Sequence, residues 1–351
     1  RSTLFPYTTL FRSRDVPKAF ENCMLVPFPK DTVRVEVELT DRHGKVSSRI
    51  SHLVSPKDIL IRQIQPNPYE VRVLWEGGPI DSAIDIVIVS EGYTDALKDQ
   101  FFADAERARD ALFGHAPFSE RKSKFAIRAV FAPSQDSGPS IPHFHQWHNT
   151  LVDSHFDTFY SDRYLTTSSL QKVHDALGTV PFEHIIVLVN TPVYGGGGIY
   201  NSLTIMGSGH PTFNEVLVHE FGHAFGGLGD EYFYGEQTET PYPADTEPWE
   251  PNITTLKDFA SKWQDMLPEG TPIPTPVDSL EKAEVRRFWH MLTAEKKEQL
   301  NMKVGVYEGA GYQLHGVYRP VQECRMRINE CEDFCPVCAR AIVQMIDYYT
   351  R

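Results

Sequence analysis

Apolar and polar residues alternate from Thr32 to Leu39 (Thr-Val-Arg-Val-Glu-Val-Glu-Leu) and again from Tyr69 to Trp75. That period of two predicts half-exposed strands, and Asp41-Arg42-His43-Gly44 reads as a turn after the first. Residues 14–78 thus read as an all-β module, with a boundary at Glu76-Gly77-Gly78-Pro79. Beyond it the pattern changes. Ile84-Asp85-Ile86-Val87-Ile88-Val89 predicts a strand buried on both faces, followed by a helix over Asp95–Phe113 and a strand at Phe125–Phe131. A helix near Ser168–Leu177 and a strand at Ile185–Val189 come next. Strands alternating with helices predict an α/β layer with a largely parallel sheet. Gly195 to Gly198, a mobile rim or a flexible loop, open a strand at Ile199–Met206. Residues 233–280 hold Pro241, Pro243, Pro248, Pro251, Pro268, Pro272, Pro274 and Pro276. Such a stretch is too long for a silent connector. It reads as a wall or lid over a substrate, or as an ordered insertion that touches none.

The segment after that strand carries the chemistry. Val216, Leu217, Phe221 and Phe225 recur at helical spacing, Thr212-Phe213-Asn214-Glu215 reads as a capping box, and Gly226-Gly227 reads as the helix end. On this helix lies His219-Glu220-Phe221-Gly222-His223, an H-E-x-x-H pattern. Residues four apart share a face, with side chains roughly 6 Å apart, so two imidazoles can meet one Zn²⁺. Glu220 is turned about 100° away and can hold a water as general base without being a ligand. In the metzincin spacing a third ligand follows a turning glycine by three residues. Gly226 fits the turn, but the ligand position falls on Gly229, which has no side chain. Asp230 is therefore the expected third ligand, with Glu231 beside it as an outer anchor. Glu281, Glu284, Glu295 and Glu298 are the competitors, in charge-rich stretches that read as solvated helix faces.

The formal net charge of −13 excludes a phosphate-backbone partner, and no apolar run approaches the length of a membrane span. Residues 1–13 read as non-native adapter-like sequence, so that the true start and any export signal lie outside this chain. Cys324, Cys331, Cys335 and Cys338 gather near the end, with Cys23 apart. Cys335-Pro336-Val337-Cys338 resembles half of a zinc knuckle, yet Cys324 and Cys331 lack the matching spacing. A disulfide staple is preferred over a structural zinc or reduced thiols. His143, His145 and His148 crowd one loop and read as packed or exposed residues. Met326 is the best placed base for a metal site. Tyr232, Tyr318, Arg319 and Arg327 are open as donors to a developing oxyanion, and His210 is equally open.

Several blocks in order resemble the IgA-peptidase family of bacterial zinc metallopeptidases, together covering nearly all of residues 14–351. They are Asp85–Thr94, Asp162-Arg163-Tyr164-Leu165, Asn190-Thr191, Tyr194–Asn201, the helix through Asp230-Glu231-Tyr232, and Phe334–Cys338. The resemblance implies a zincin-like, metzincin-like catalytic domain over residues 79–351, a mixed sheet with an active-site helix. A partial β-sandwich-like domain over residues 14–78 would precede it. It implies one catalytic Zn²⁺ on His219 and His223, with Glu220 as the base, and strengthens Met326 as the residue under the metal. It further implies a secreted, cell-surface or periplasmic endopeptidase acting on a protein or peptide, with the strand before the helix lining the cleft. Immunoglobulin specificity does not transfer. The alternatives are a catalytically silent, adhesin-like binding protein on the same fold and a zinc hydrolase of non-peptide amides.

Overall fold

A computed structural model describes residues 23–351 except 25, 27, 42, 60, 62–64, 159–160, 235–240 and 278–287. Residues 1–13, with their adapter-like reading, lie outside the described residues. The chain runs β1 (Val33–Thr40), β2 (Val46–Val54), β3 (Glu70–Glu76), β4 (Ile84–Glu91), α1 (Lys98–Phe113), β5 (Phe125–Phe131) and α2 (Leu170–Leu177). It continues through β6 (His184–Val189), β7 (Gly196–Ile199), β8 (Leu203–Gly207), α3 (Phe213–Gly226), α4 (Ala294–Met302), β9 (Tyr307–Ala310), β10 (Gln313–Arg319) and α5 (Pro336–Tyr349).

A six-stranded mixed sheet in the order β3-β5-β4-β6-β8-β7 organises the molecule. The four inner strands are parallel, and both edges, β3 and β7, run antiparallel to their neighbours. Alternation along β4 explains the layering. Ile84, Ile86 and Ile88 join a core with α1, α3 and α5, while Val87 and Val89 face a second core with α2 and Phe156. Between them Asp85 pairs with the buried Arg128 of β5, so the one charge in this apolar run is matched. At the C-terminal end of β4 the buried Glu91 accepts backbone N–H bonds from Val152 and Ser154 at 3.0 and 2.9 Å. Tyr93 bonds Asp104 and Ser208 at 2.7 and 2.6 Å. These contacts tie the loops at that end of the sheet together.

Three expectations change here. Strand β3, whose alternation grouped it with the N-terminal module, is an edge of the large sheet, and its Trp75 packs edge-on against Phe113. The β1–β2 hairpin pairs with no third strand and is exposed on nearly all its length, so no sandwich forms among the described residues. The segment expected as one strand over Ile199–Met206 is instead the antiparallel pair β7–β8, turning at Asn201 with φ +53°.

Candidate metal centre

Helix α3 is an interior helix: ten of its fourteen residues are buried. Phe221 and Phe225 stack at 5.4 Å and meet Phe118, which anchors the helix to the sheet through Phe125. The capping box does not form. Thr212 makes no side-chain cap, because its hydroxyl meets His210 Nδ1 at 2.8 Å. At the other end Gly227 adopts φ +62°, and the N–H groups of Gly227 and Leu228 return to the carbonyls of His223 and Gly222.

That reversal decides which residue comes back to the histidines. Gly229 points into packed structure, where an added Cβ would sit 2.9 Å from Ile253 Cδ1. Asn252 clamps it, accepting the Gly229 N–H at 2.7 Å and donating to its carbonyl at 2.9 Å. Asp230 is thereby turned inward. Its Oδ1 lies 3.1 Å from His219 Nε2 and 3.3 Å from His223 Nε2, and the two Nε2 atoms are 3.1 Å apart. These three side chains form one group able to hold a metal ion.

Each member is oriented from behind. His219 Nδ1 donates to the Arg325 carbonyl at 2.9 Å and His223 Nδ1 to the Leu228 carbonyl at 2.5 Å, which points both Nε2 lone pairs at the centre. Asp230 Oδ2 accepts from the Tyr312 hydroxyl. Burial opposes charge at His223, but the Asp230 carboxylate outweighs it and the pKa is pushed up to about 9. Burial likewise opposes ionisation of Asp230, yet the two imidazoles hold its carboxyl far below the usual range. A carboxylate thus sits between two imidazoles, the donor set that a bound cation would find.

Glu220 stands outside the trio. It is half-buried, and its Oε2 accepts the Gly198 N–H from edge strand β7 at 2.7 Å. Backbone and helix approach so closely there that a Cβ on Gly198 would be driven into the Glu220 carbonyl, 2.8 Å from its carbon. A Cβ on Gly197 would meet nothing within 4 Å, so open space lies beside that residue. Met326 lies beneath the helix, its Sδ 2.9 Å from where a Cβ of Gly222, the residue before His223, would stand. Its carbonyl accepts the Glu231 N–H at 2.8 Å.

The remaining candidates separate clearly. Arg319 donates to the carbonyls of Glu308 and Gly309, and Arg327 to the Glu231 carbonyl and the Glu323 carboxylate. Both guanidinium groups thus serve the scaffold. Tyr318 pairs its backbone with Thr254. Tyr232 stays near the centre, packed on Tyr312 at 5.3 Å, and its pKa is raised by burial and by Asp230. Tyr164 feels both Asp230 and Glu220; burial, reinforced by those carboxylates, raises its pKa. Glu295 and Glu298 on α4 join no metal group among the described residues, while Glu281 and Glu284 lie outside them. His143 instead meets Asp157 at 2.8 Å. Glu231 turns away from the trio into a group with Cys324, Cys335 and Cys338. The expected disulfide staple is not formed: these three thiols and Cys331 are all free.

A match to the family described as IgA Peptidase M64 spans residues 73–346, well over half the chain. The chain belongs to the IgA Peptidase M64 family. The matched span begins inside β3, takes in the other five strands of the six-stranded sheet and ends within α5, so α3 and the Asp230 turn lie within it. No curated protein matches the chain. The sequence pattern gave no role to Tyr312, Asn252 or Gly198, and the first two belong to no motif. Only Gly198 had a signal, within the four-glycine run.

Proposed function

We propose that this M64 family member is a zinc endopeptidase in which His219, His223 and Asp230 hold the metal and Glu220 is the general base. The observation that carries the reading is the triangle of donor atoms with edges of 3.1–3.3 Å and Glu220 held just outside it. A tetrahedral zinc with bonds of about 2.0–2.1 Å needs ligand edges of about 3.3 Å, so the donors present fit it. Zinc supplies Lewis acidity toward a scissile carbonyl and an attacking water. The residues do the rest. Asp230 contributes Oδ1 while Tyr312 holds Oδ2, and both imidazoles present Nε2. The Gly198 bond to Oε2 of Glu220 leaves Oε1 to accept the water's proton and pass it to the leaving amine.

Edge strand β7 favours an extended peptide over other amides. It ends the sheet order, pairing only with β8 among the described residues, and Gly197 leaves open space beside it. A substrate strand can add there through backbone hydrogen bonds. Substrates outside the cell fit the family; no helix among the described residues is long and apolar enough to cross a membrane. A diverse peptide library incubated with and without chelator tests the reading. Internal cuts that chelator abolishes are expected. Silence toward peptides from a zinc-loaded protein would sink it and point to a non-peptide amide or a binding role.

A further inference from the structure

A second group of metal-ligand side chains lies behind the trio, and it is sealed. Glu231, Cys324, Cys335 and Cys338 are each 0% exposed, and their donor atoms all lie within 4.8 Å of one another. Three separate segments deliver them: the turn after α3, the stretch following β10, and the first turn of α5. We propose that these four residues form a second, structural zinc site with three thiolates and one carboxylate.

The distances discriminate between thiol chemistries. Cys324 Sγ and Cys338 Sγ are 3.8 Å apart. A tetrahedral zinc with Zn–S bonds of about 2.3 Å requires a sulfur–sulfur edge of about 3.8 Å, whereas a disulfide needs about 2.05 Å. Cys338 Sγ lies 3.1 Å from Glu231 Oε1. The sulfurs also receive the backbone donors expected of anions. Cys335 N–H points to Cys324 Sγ at 3.3 Å, and Cys338 N–H to Cys335 Sγ at 3.5 Å. Cys335 is the N-cap of α5, which fixes its sulfur at the helix start. The carboxylate supplies an independent sign. Glu231 Oε1 accepts from Asn252 Nδ2 at 2.9 Å, but Oε2 has no hydrogen-bond partner among the described residues despite full burial. An unsatisfied buried carboxylate oxygen is costly, and a cation among three sulfurs relieves it.

The placement gives the site its purpose. Glu231 follows Asp230 directly, and Cys324 is two residues before Met326, whose carbonyl holds the Glu231 N–H. A metal there would fasten the Asp230 turn, the Met326 segment and α5 to one point. With all four positions filled by protein atoms, it keeps no open position for substrate. The inference stands without the catalytic reading.

Metal analysis of the full chain tests it, with variants that empty each site separately. Wild type should carry about two zinc ions, and H219A/H223A, which spares the thiols, about one. Cobalt-loaded H219A/H223A should show the intense near-ultraviolet band of thiolate-to-cobalt charge transfer. C335S should lose that band, and C331S should keep it. The proposal is overturned if folded H219A/H223A binds neither zinc nor cobalt, or if mass spectrometry finds a Cys324–Cys338 disulfide. One zinc in both wild type and H219A/H223A would support this site and remove the first. One zinc in wild type with none in the double variant would do the reverse.

Discussion

His184 begins β6 beneath α3, and its burial ties the stability of the fold to pH. The residue is 4% exposed, with its ring 4.8 Å from Phe225 and 6.0 Å from Phe221. Its Nε2 has no hydrogen-bond partner among the described residues, and burial pushes its pKa down from 6.5 to about 3. Above pH 6.5 the ring is neutral in folded and unfolded chains alike, so nothing is lost. As pH falls through 6.5 the unfolded chain takes up a proton that the folded chain refuses until about pH 3. Stability therefore drains across that window. Between pH 8 and pH 5 the loss is 1.5 pKa units at about 1.36 kcal/mol each, or about 2 kcal/mol. His184→Leu keeps an apolar side chain in the same place and removes the titration. Urea unfolding of both proteins at the two pH values isolates the effect, since every other group titrates alike in the pair. Wild type should lose about 2 kcal/mol more than His184→Leu on acidification. Parallel losses in the two proteins would refute the reasoning.

Two further substitutions probe the supports of the centre. Gly198→Ala must push β7 off α3; unfolding should show a cost of about 1–3 kcal/mol. Peptide turnover should fall about 100-fold with zinc content unchanged, and a wild-type rate would show that the Gly198–Glu220 contact positions nothing. Tyr312→Phe removes the donor to Asp230 Oδ2 and should weaken zinc binding about 10–100-fold in competition with a chromophoric chelator; unchanged affinity would exclude that support.

The sheet was legible wherever both faces of a strand are buried. Phe125–Phe131 and the run from Ile84 carry apolar side chains on each side because two cores close on them. Strand β3 was misplaced for the converse reason: alternation reports half-exposure, not which strand lies alongside. Helix α3 is bounded as expected at Thr212 and at Gly227, where a left-handed residue is needed, but the side-chain cap at its start does not form because His210 competes for the Thr212 hydroxyl. At the centre, spacing along one helix and one turn brought His219, His223 and Asp230 into view. Tyr312 reaches Asp230 from 82 residues away, and local sequence holds no trace of such an approach. The cysteines were hidden similarly. Their mutual spacing omits Glu231, which arrives from a different part of the chain and changes the group from a disulfide candidate into a four-donor cluster.

In the proposed mechanism metal binding falls to His219, His223 and Asp230, and proton transfer to Glu220. Glu220→Gln distinguishes them most directly, because the amide fills the same space and keeps an oxygen for the Gly198 N–H but cannot take a proton. Zinc content and peptide cleavage should be measured on the same preparation. The account predicts wild-type zinc with turnover reduced by at least about 100-fold. Cleavage near the wild-type rate, with zinc in place, would contradict it.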